Sequence, residues 1–214
     1  MKHLSLSTPR VIFLLGIPGA GKTYFARKFS NTFKAPFIDI EVIRKTLNPK
    51  PEYSKQEDDL VSNLAYLQMI ELFKTKHTFL YEGGLEVRAE RQRLAKFVIK
   101  AGYEPLFVWV QTEFNTAEKR AIKGAPGHSK EHIISPERFD QVVNRFTTPD
   151  KTEKPVVLSG KHTYTTQART LLRSIAEQEK SHRHQAVYGA TKEASAPQRL
   201  VVPKRKPRNN SISL

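Results

Sequence analysis

Eight consecutive residues, Gly16-Ile17-Pro18-Gly19-Ala20-Gly21-Lys22-Thr23, combine glycines with a lysine and a hydroxyl at a spacing suited to phosphate chemistry. They fit the pattern G-x-x-x-x-G-K-[ST] in full. Successive backbone amides must turn inward around an anion, and side chains at the glycine positions would crowd it. Lys22 supplies a point charge to β- and γ-phosphates, and the Thr23 hydroxyl suits ligation of Mg2+. A helix starting near Lys22 would aim its unpaired N-terminal amides at the same anion. The pattern therefore calls for a nucleoside triphosphate with Mg2+. The expected nucleotide contacts are Gly16, Pro18, Gly19, Ala20, Gly21, Lys22, Thr23 and Tyr24. ATP is the expected nucleotide, although no residue names the base; the absence of a guanine-reading Asn/Thr-Lys-x-Asp after the fourth apolar run counts against a GTPase. The dinucleotide fingerprint G-x-G-x-x-G does not fit glycines at 16, 19 and 21. The chain is also too short for a full motor ATPase core.

Further segments at set distances from this loop carry a resemblance. Glu41, Arg44 and Leu47 stand where a second strand would end, Tyr81-Glu82-Gly83-Gly84 closes a third, and Thr116–Gly124 follows a fourth. From Val11 to about Ala176 the chain resembles the small P-loop kinases grouped with polynucleotide kinase, zeta toxins and chloramphenicol phosphotransferase. Those kinases carry Asp-x-x-Arg-x-x-Leu after the second strand. The resemblance implies that Glu41 orients or deprotonates an acceptor hydroxyl, and that Arg44 holds an acceptor phosphate or the acid itself. Glu here replaces the usual Asp, so Asp39 stands as a substitute; the plain alternative is an i,i+3 surface pair. Glu82, again Glu for Asp, would reach the Mg2+ shell through water, beside Thr23 as direct ligand. Arg91 is assigned packing or a substrate contact. A lid over about 116–135 would close Arg120, or failing that Lys123, over the transferring phosphoryl group. Arg138 and Arg145, on the helix behind the lid, are candidates for nucleotide or acceptor contact and equally for structural roles. The fifth strand would close the adenine pocket.

These residues need a scaffold, and the hydropathy pattern describes one. Five short apolar runs, Arg10–Leu15, Phe37–Ile40, Thr78–Tyr81, Leu106–Val110 and Val156–Leu158, alternate with helical patterns, the signature of a parallel α/β sheet. Helices are expected over Lys22–Phe33, after the capping box Ser54-Lys55-Gln56-Glu57 with Leu60, Leu64 and Leu67 on its apolar face, through Leu94–Ala101, from Ser135-Pro136-Glu137, and over about Thr166–Gln178. The fold class implied is a P-loop three-layer αβα sandwich with a five-stranded sheet in the order 2-3-1-4-5 and a small lid. The kinase domain would cover 1–179 and a disordered basic tail 180–214.

Composition narrows the rest. The chain has no cysteine, which rules out disulfides and thiolate metal sites, and its seven histidines lack a zinc-ligand spacing. Its net charge is +15; from Lys180 onward eight basic residues face one acid, Glu193, so +7 of the excess sits on the tail. Such an excess favours polyanionic partners. Within the kinase reading, a polynucleotide 5′-hydroxyl and a small-molecule hydroxyl compete as acceptor, with nucleic acid a candidate partner of the tail. The rival class is an ATP-hydrolysing nucleic-acid-binding or regulatory module. The apolar run before Gly16 is too short for a signal peptide or membrane span, so a cytoplasmic monomer with no membrane contact is expected.

Overall fold

The computed structural model describes residues 6–124 and 133–194, with side chains as far as Ser181. Val-Ile-Phe-Leu-Leu is apolar at every position, so it suits only a strand covered on both faces. It lies in β1 (Arg10–Leu15), buried throughout. β1 pairs in parallel with β3 (Phe79–Glu82) on one side and β4 (Glu104–Gln111) on the other. β2 (Phe37–Asp39) lies outside β3, and β5 (Val156–Ser159) outside β4. The order β2-β3-β1-β4-β5 is the one expected.

Alternate residues of β1 feed two cores. Val11, Phe13 and Leu15 join α3 (Lys55–Thr75) and α4 (Arg88–Lys100), with Phe13 stacked on Phe107 at 5.4 Å and edge-on to Tyr81 at 5.6 Å. Ile12 and Leu14 face α1 (Lys22–Phe33) and α7 (Tyr164–Ala194) through Phe25, Phe29, Leu171 and Ile175. Truncating a ring buried as deeply as Phe13 to alanine costs about 3–5 kcal/mol. The three remaining helices among the described residues are α2 (Ile40–Leu47), α5 (Phe114–Lys123) and α6 (Pro136–Arg145).

Local chemistry sets several boundaries. β2 stops at Asp39, one residue short of expectation, because the Asp39 carboxylate accepts the amides of Glu41 and Val42 and starts α2 there. The Ser54 hydroxyl caps α3 by accepting the Glu57 amide at 3.2 Å, while the Glu57 carboxylate takes the Tyr53 amide at 2.6 Å. Ser135 caps α6 ahead of Pro136, as expected.

The face that α3 buries differs from the Leu60–Leu64–Leu67 stripe. Val61, Ala65 and Met69 are buried, whereas Leu60 and Leu67 are 52% and 58% exposed. The helix carries two apolar stripes, and Asp58, which shares the Val61 side, is drawn to Arg44 at 2.7 Å, fixing the rotation. Arg91 is wholly buried in a bidentate pair with Glu153 at 2.6 and 3.0 Å, and it also donates to the carbonyls of Leu85, Glu86 and Thr147. Packing is therefore its role.

The chain divides into two compact units, Met1–Glu177 and Gln178–Leu214. The sheet belongs to the first. In the second the described residues are helical: α7 continues to Ala194, where disorder was expected from Lys180. Residues 180–194 contain no proline and a single glycine, Gly189. Lack of apolar period removes a reason to pack but leaves helix propensity intact. The basic, proline-containing remainder, like most of the loop between α5 and α6, lies outside the described residues. No helix among the described residues is long and apolar enough to cross a membrane.

Candidate active site

The glycine loop joins the C-terminal tip of β1 to α1, the edge of a parallel sheet at which ligands bind. Gly19 adopts φ +76°, and a Cβ there would run into the Ala117 carbonyl of α5, so only glycine lets the loop lie against that helix. Thr112 Oγ1 donates to the Ala20 carbonyl at 2.9 Å and secures the loop from β4. Gly21 takes φ +104° as the residue before α1, which leaves that helix's first amides without a side-chain cap and open to an anion.

Lys22 and Thr23 meet Glu82 at the tip of β3. Thr23 Oγ1 donates to Glu82 Oε1 at 2.9 Å; Lys22 Nζ stands 3.8 Å from the same oxygen and donates to the Ile17 carbonyl at 3.1 Å. In the strand register Asp39 lies beside Glu82. Both carboxylates are 8% exposed, and each keeps one buried oxygen without a hydrogen bond, Glu82 Oε2 and Asp39 Oδ2. Burial pushes the Glu82 carboxyl up to about 7, the neighbouring Asp39 charge adding to it and Lys22 and Thr23 opposing it. Two orphaned carboxylate oxygens next to a threonine hydroxyl fit a hard divalent cation. Among the described residues no group of three His, Asp or Glu could hold a metal by itself. Mg2+ takes one or two carboxylates and completes its shell with phosphate and water.

The other expected residues fall into two groups. Arg120 on α5 donates to the Gly160 carbonyl at 3.2 Å, just beyond β5, tying α5 to that turn; Lys123 is exposed near the end of α5. Tyr24 is 39% exposed at the start of α1. Glu41 and Arg44 lie on α2 as the i,i+3 pair, 3.4 Å apart. Arg44 is buried and also bonds Glu57 at 3.0 Å and Asp58 at 2.7 Å on α3. Burial works against its charge, and Asp58, Glu41 and Glu57 outweigh that, so its pKa is raised. Arg145 is exposed on α6.

Residues 11–149, from β1 to just beyond α6, match the family model described as an AAA domain. The chain belongs to that AAA domain family. No curated protein matches the sequence. Among solved structures it is similar to a gluconokinase from Sinorhizobium meliloti 1021, with 15% identity over 83% of this chain and 97% of that one and a TM-score of 0.58. The Mycobacterium tuberculosis APS kinase CysC, in complex with AMPPNP and APS, has 18% identity over 79% and 98% of the two chains, with TM-score 0.58. Chaetomium thermophilum Kti12, in complex with ADP-AlF3, has 16% identity over 78% and 97%, with TM-score 0.57. At such identities the likeness establishes the fold, which is that of the P-loop kinases.

One residue of this AAA domain escaped sequence reasoning. Tyr53 donates its hydroxyl to Glu41 Oε2 at 3.2 Å, and the guanidiniums of Arg44 and Arg138 lie 4.8 and 4.2 Å from its ring centroid. Its φ of +54° is unusual for an aromatic residue, and that positive φ is the one feature here without a sequence signal.

Proposed function

We propose that this AAA domain protein is an ATP-dependent kinase that transfers the γ-phosphoryl group of ATP to a hydroxyl acceptor. The observation that carries the reading is the meeting of Lys22, Thr23, Glu82 and Asp39 beside an amide-lined glycine loop, with two carboxylate oxygens left over. The loop amides and the first turn of α1 hold the phosphates. Lys22 exchanges its bond to the Ile17 carbonyl for the β- and γ-phosphates, and Arg120 neutralises charge on the moving group. Thr23, Glu82 and Asp39 are the residues that would hold Mg2+, which, when bound, withdraws charge from the phosphate oxygens.

Glu41 is the base. Its carboxylate, 37% exposed, is oriented by the Tyr53 hydroxyl and the Arg44 guanidinium. The acceptor oxygen bonds to the γ-phosphorus as that atom's bond to the β,γ-bridging oxygen breaks. The electron pair leaves with ADP, and the acceptor proton passes to Glu41. Asp39 serves on the cation side, since one of its oxygens caps α2, the other is buried without a partner, and the residue pairs with Glu82 in the strand register.

The test is transfer from γ-labelled ATP to small-molecule extracts and to 5′-hydroxyl DNA and RNA. Lys22→Ala is expected to abolish labelling, and full labelling by that variant refutes the reading. Hydrolysis of ATP with no acceptor labelled would instead favour a regulatory ATPase.

A further inference from the structure

The Ala20–Gly21 peptide is fixed from outside the glycine loop. Thr112, one residue beyond β4, donates its hydroxyl to the Ala20 carbonyl at 2.9 Å, although the two residues are 92 positions apart in the chain. Ala20 is wholly buried, so bulk water does not compete for that carbonyl. Gly160, just beyond β5, closes in from a further side: a Cβ there would run into the Ala20 carbonyl and the Thr112 hydroxyl together. Gly160 is itself held at both ends. Its amide donates to the Gln111 carbonyl at 2.7 Å, and its carbonyl accepts from Arg120 Nη1 at 3.2 Å. The tips of β4 and β5 thus converge on a single carbonyl of the loop.

The other half of the same peptide is free. A trans peptide is planar and sets its C=O and the following N–H in opposite directions. With the Ala20 carbonyl drawn toward β4, the Gly21 N–H points away from it. Thr112 stands on the β4 side of β1, whereas Glu82, which gathers Lys22 and Thr23, ends β3 on the opposite side. Among the described residues no acceptor takes the Gly21 amide. Glycine at φ +104° does not by itself fix how that peptide is turned, so an outside contact must do so. Threonine suits the task, because its β-branched side chain is stiff about χ1 and its hydroxyl does not swing away.

We propose that Thr112 is a positioning residue for the nucleotide: by holding the Ala20 carbonyl it aims the Gly21 amide at a phosphate oxygen, and Gly160 keeps open the space in which that hydrogen bond forms. This rests on the reading of Gly16–Thr23 as a phosphate cradle. A donor aimed beforehand needs no reorientation when the anion arrives. Without the hydroxyl, the buried Ala20 carbonyl loses its donor and the peptide turns to find another.

The experiment titrates the full chain with Mg-ADP by calorimetry, in the wild type and in Thr112→Val, Thr112→Ser and Gly160→Ala, while heteronuclear NMR spectra follow the Gly21 amide proton. Thr112→Val keeps the shape and removes the hydroxyl, and it is expected to raise Kd about tenfold or more. Thr112→Ser should recover most of that loss. Gly160→Ala, whose Cβ crowds the hydroxyl, should weaken binding in the same sense. In the wild type the Gly21 amide proton should move downfield as the phosphates bind, and in Thr112→Val it should move less. A side chain that only packed would alter the stability of the ligand-free protein and leave that resonance alone. Wild-type affinity in Thr112→Val, no recovery in Thr112→Ser, or the same Gly21 movement with and without the hydroxyl overturns the proposal while leaving the phosphate cradle standing. If Thr112→Val does not fold, Gly160→Ala carries both readouts, and wild-type values there overturn it. No binding of Mg-ADP by the wild type overturns both.

Discussion

The two sides of this site, proposed to hold the nucleotide and the acceptor, are built by different means. On the nucleotide side the functional atoms come from one short stretch, Gly16 to Thr23, joined by two strand-tip carboxylates that the sheet register sets side by side. There the side-chain contacts converge on one carboxylate, Glu82. On the proposed acceptor side Glu41, Arg44, Tyr53, Glu57, Asp58 and Arg138 come from three helices and a strained turn, and Arg44 is bound by side chains of α3. A loop that binds a constant ligand can be encoded locally, because the ligand supplies the charge that completes it. A pocket for a particular acceptor must be preorganised by the protein's own ion pairs, so its parts come from wherever packing delivers them.

The largest test of this contrast is Gly19→Val. The substitution meets both the positive φ and the Ala117 carbonyl, and loss of Mg-ATP affinity by about a hundredfold or more is expected by titration calorimetry, with the sheet intact by circular dichroism. Arg44→Met tests the opposite side. It strands Glu57 against α2 with no cation, and a stability loss of about 3 kcal/mol is expected in urea unfolding. If Arg44→Met left stability unchanged, the network would not be what holds the α2–α3 corner.

Glu82 tests the nucleotide side through pH. Its folded pKa, about 7, lies above the ordinary carboxylate value, so between those values the folded protein keeps a proton that the unfolded chain releases. Ligand-free stability is therefore fully present in acid and falls as pH rises through about 7, by on the order of 3 kcal/mol. Thermal unfolding from pH 4 to 8 should show that slope. Glu82→Gln should flatten it, and saturating Mg-ATP should offset it, because a bound cation stabilises the ionised carboxylate. The smallest effect is reserved for Leu67→Ser. At 58% exposure it should alter stability by no more than about 0.5 kcal/mol, whereas a loss several times larger would mean that this stripe of α3 is covered in solution.

Much of the scaffold was legible from local chemistry. The unbroken apolar run of β1 could only be a doubly covered strand, α1 begins and ends at Lys22 and Phe33 as expected, and Ser54 and Ser135 mark helix starts through their hydroxyls. Such signals depend on neighbours within a few residues, so they survive without knowledge of the fold. The rotation of α3 was misread because two apolar stripes compete there, and the choice between them is made by Arg44 reaching across from α2.

The glycine loop was legible in the sequence alone, because its glycine, lysine and hydroxyl positions fall within eight consecutive residues. What only the tertiary structure decided is which charges remain available. Arg44 and Arg138 are the same residue type on helices, yet the first is buried among three carboxylates, while the second lies over a tyrosine ring with no carboxylate partner among the described residues. Electrostatic free energy depends on distance and burial, and a linear sequence contains neither.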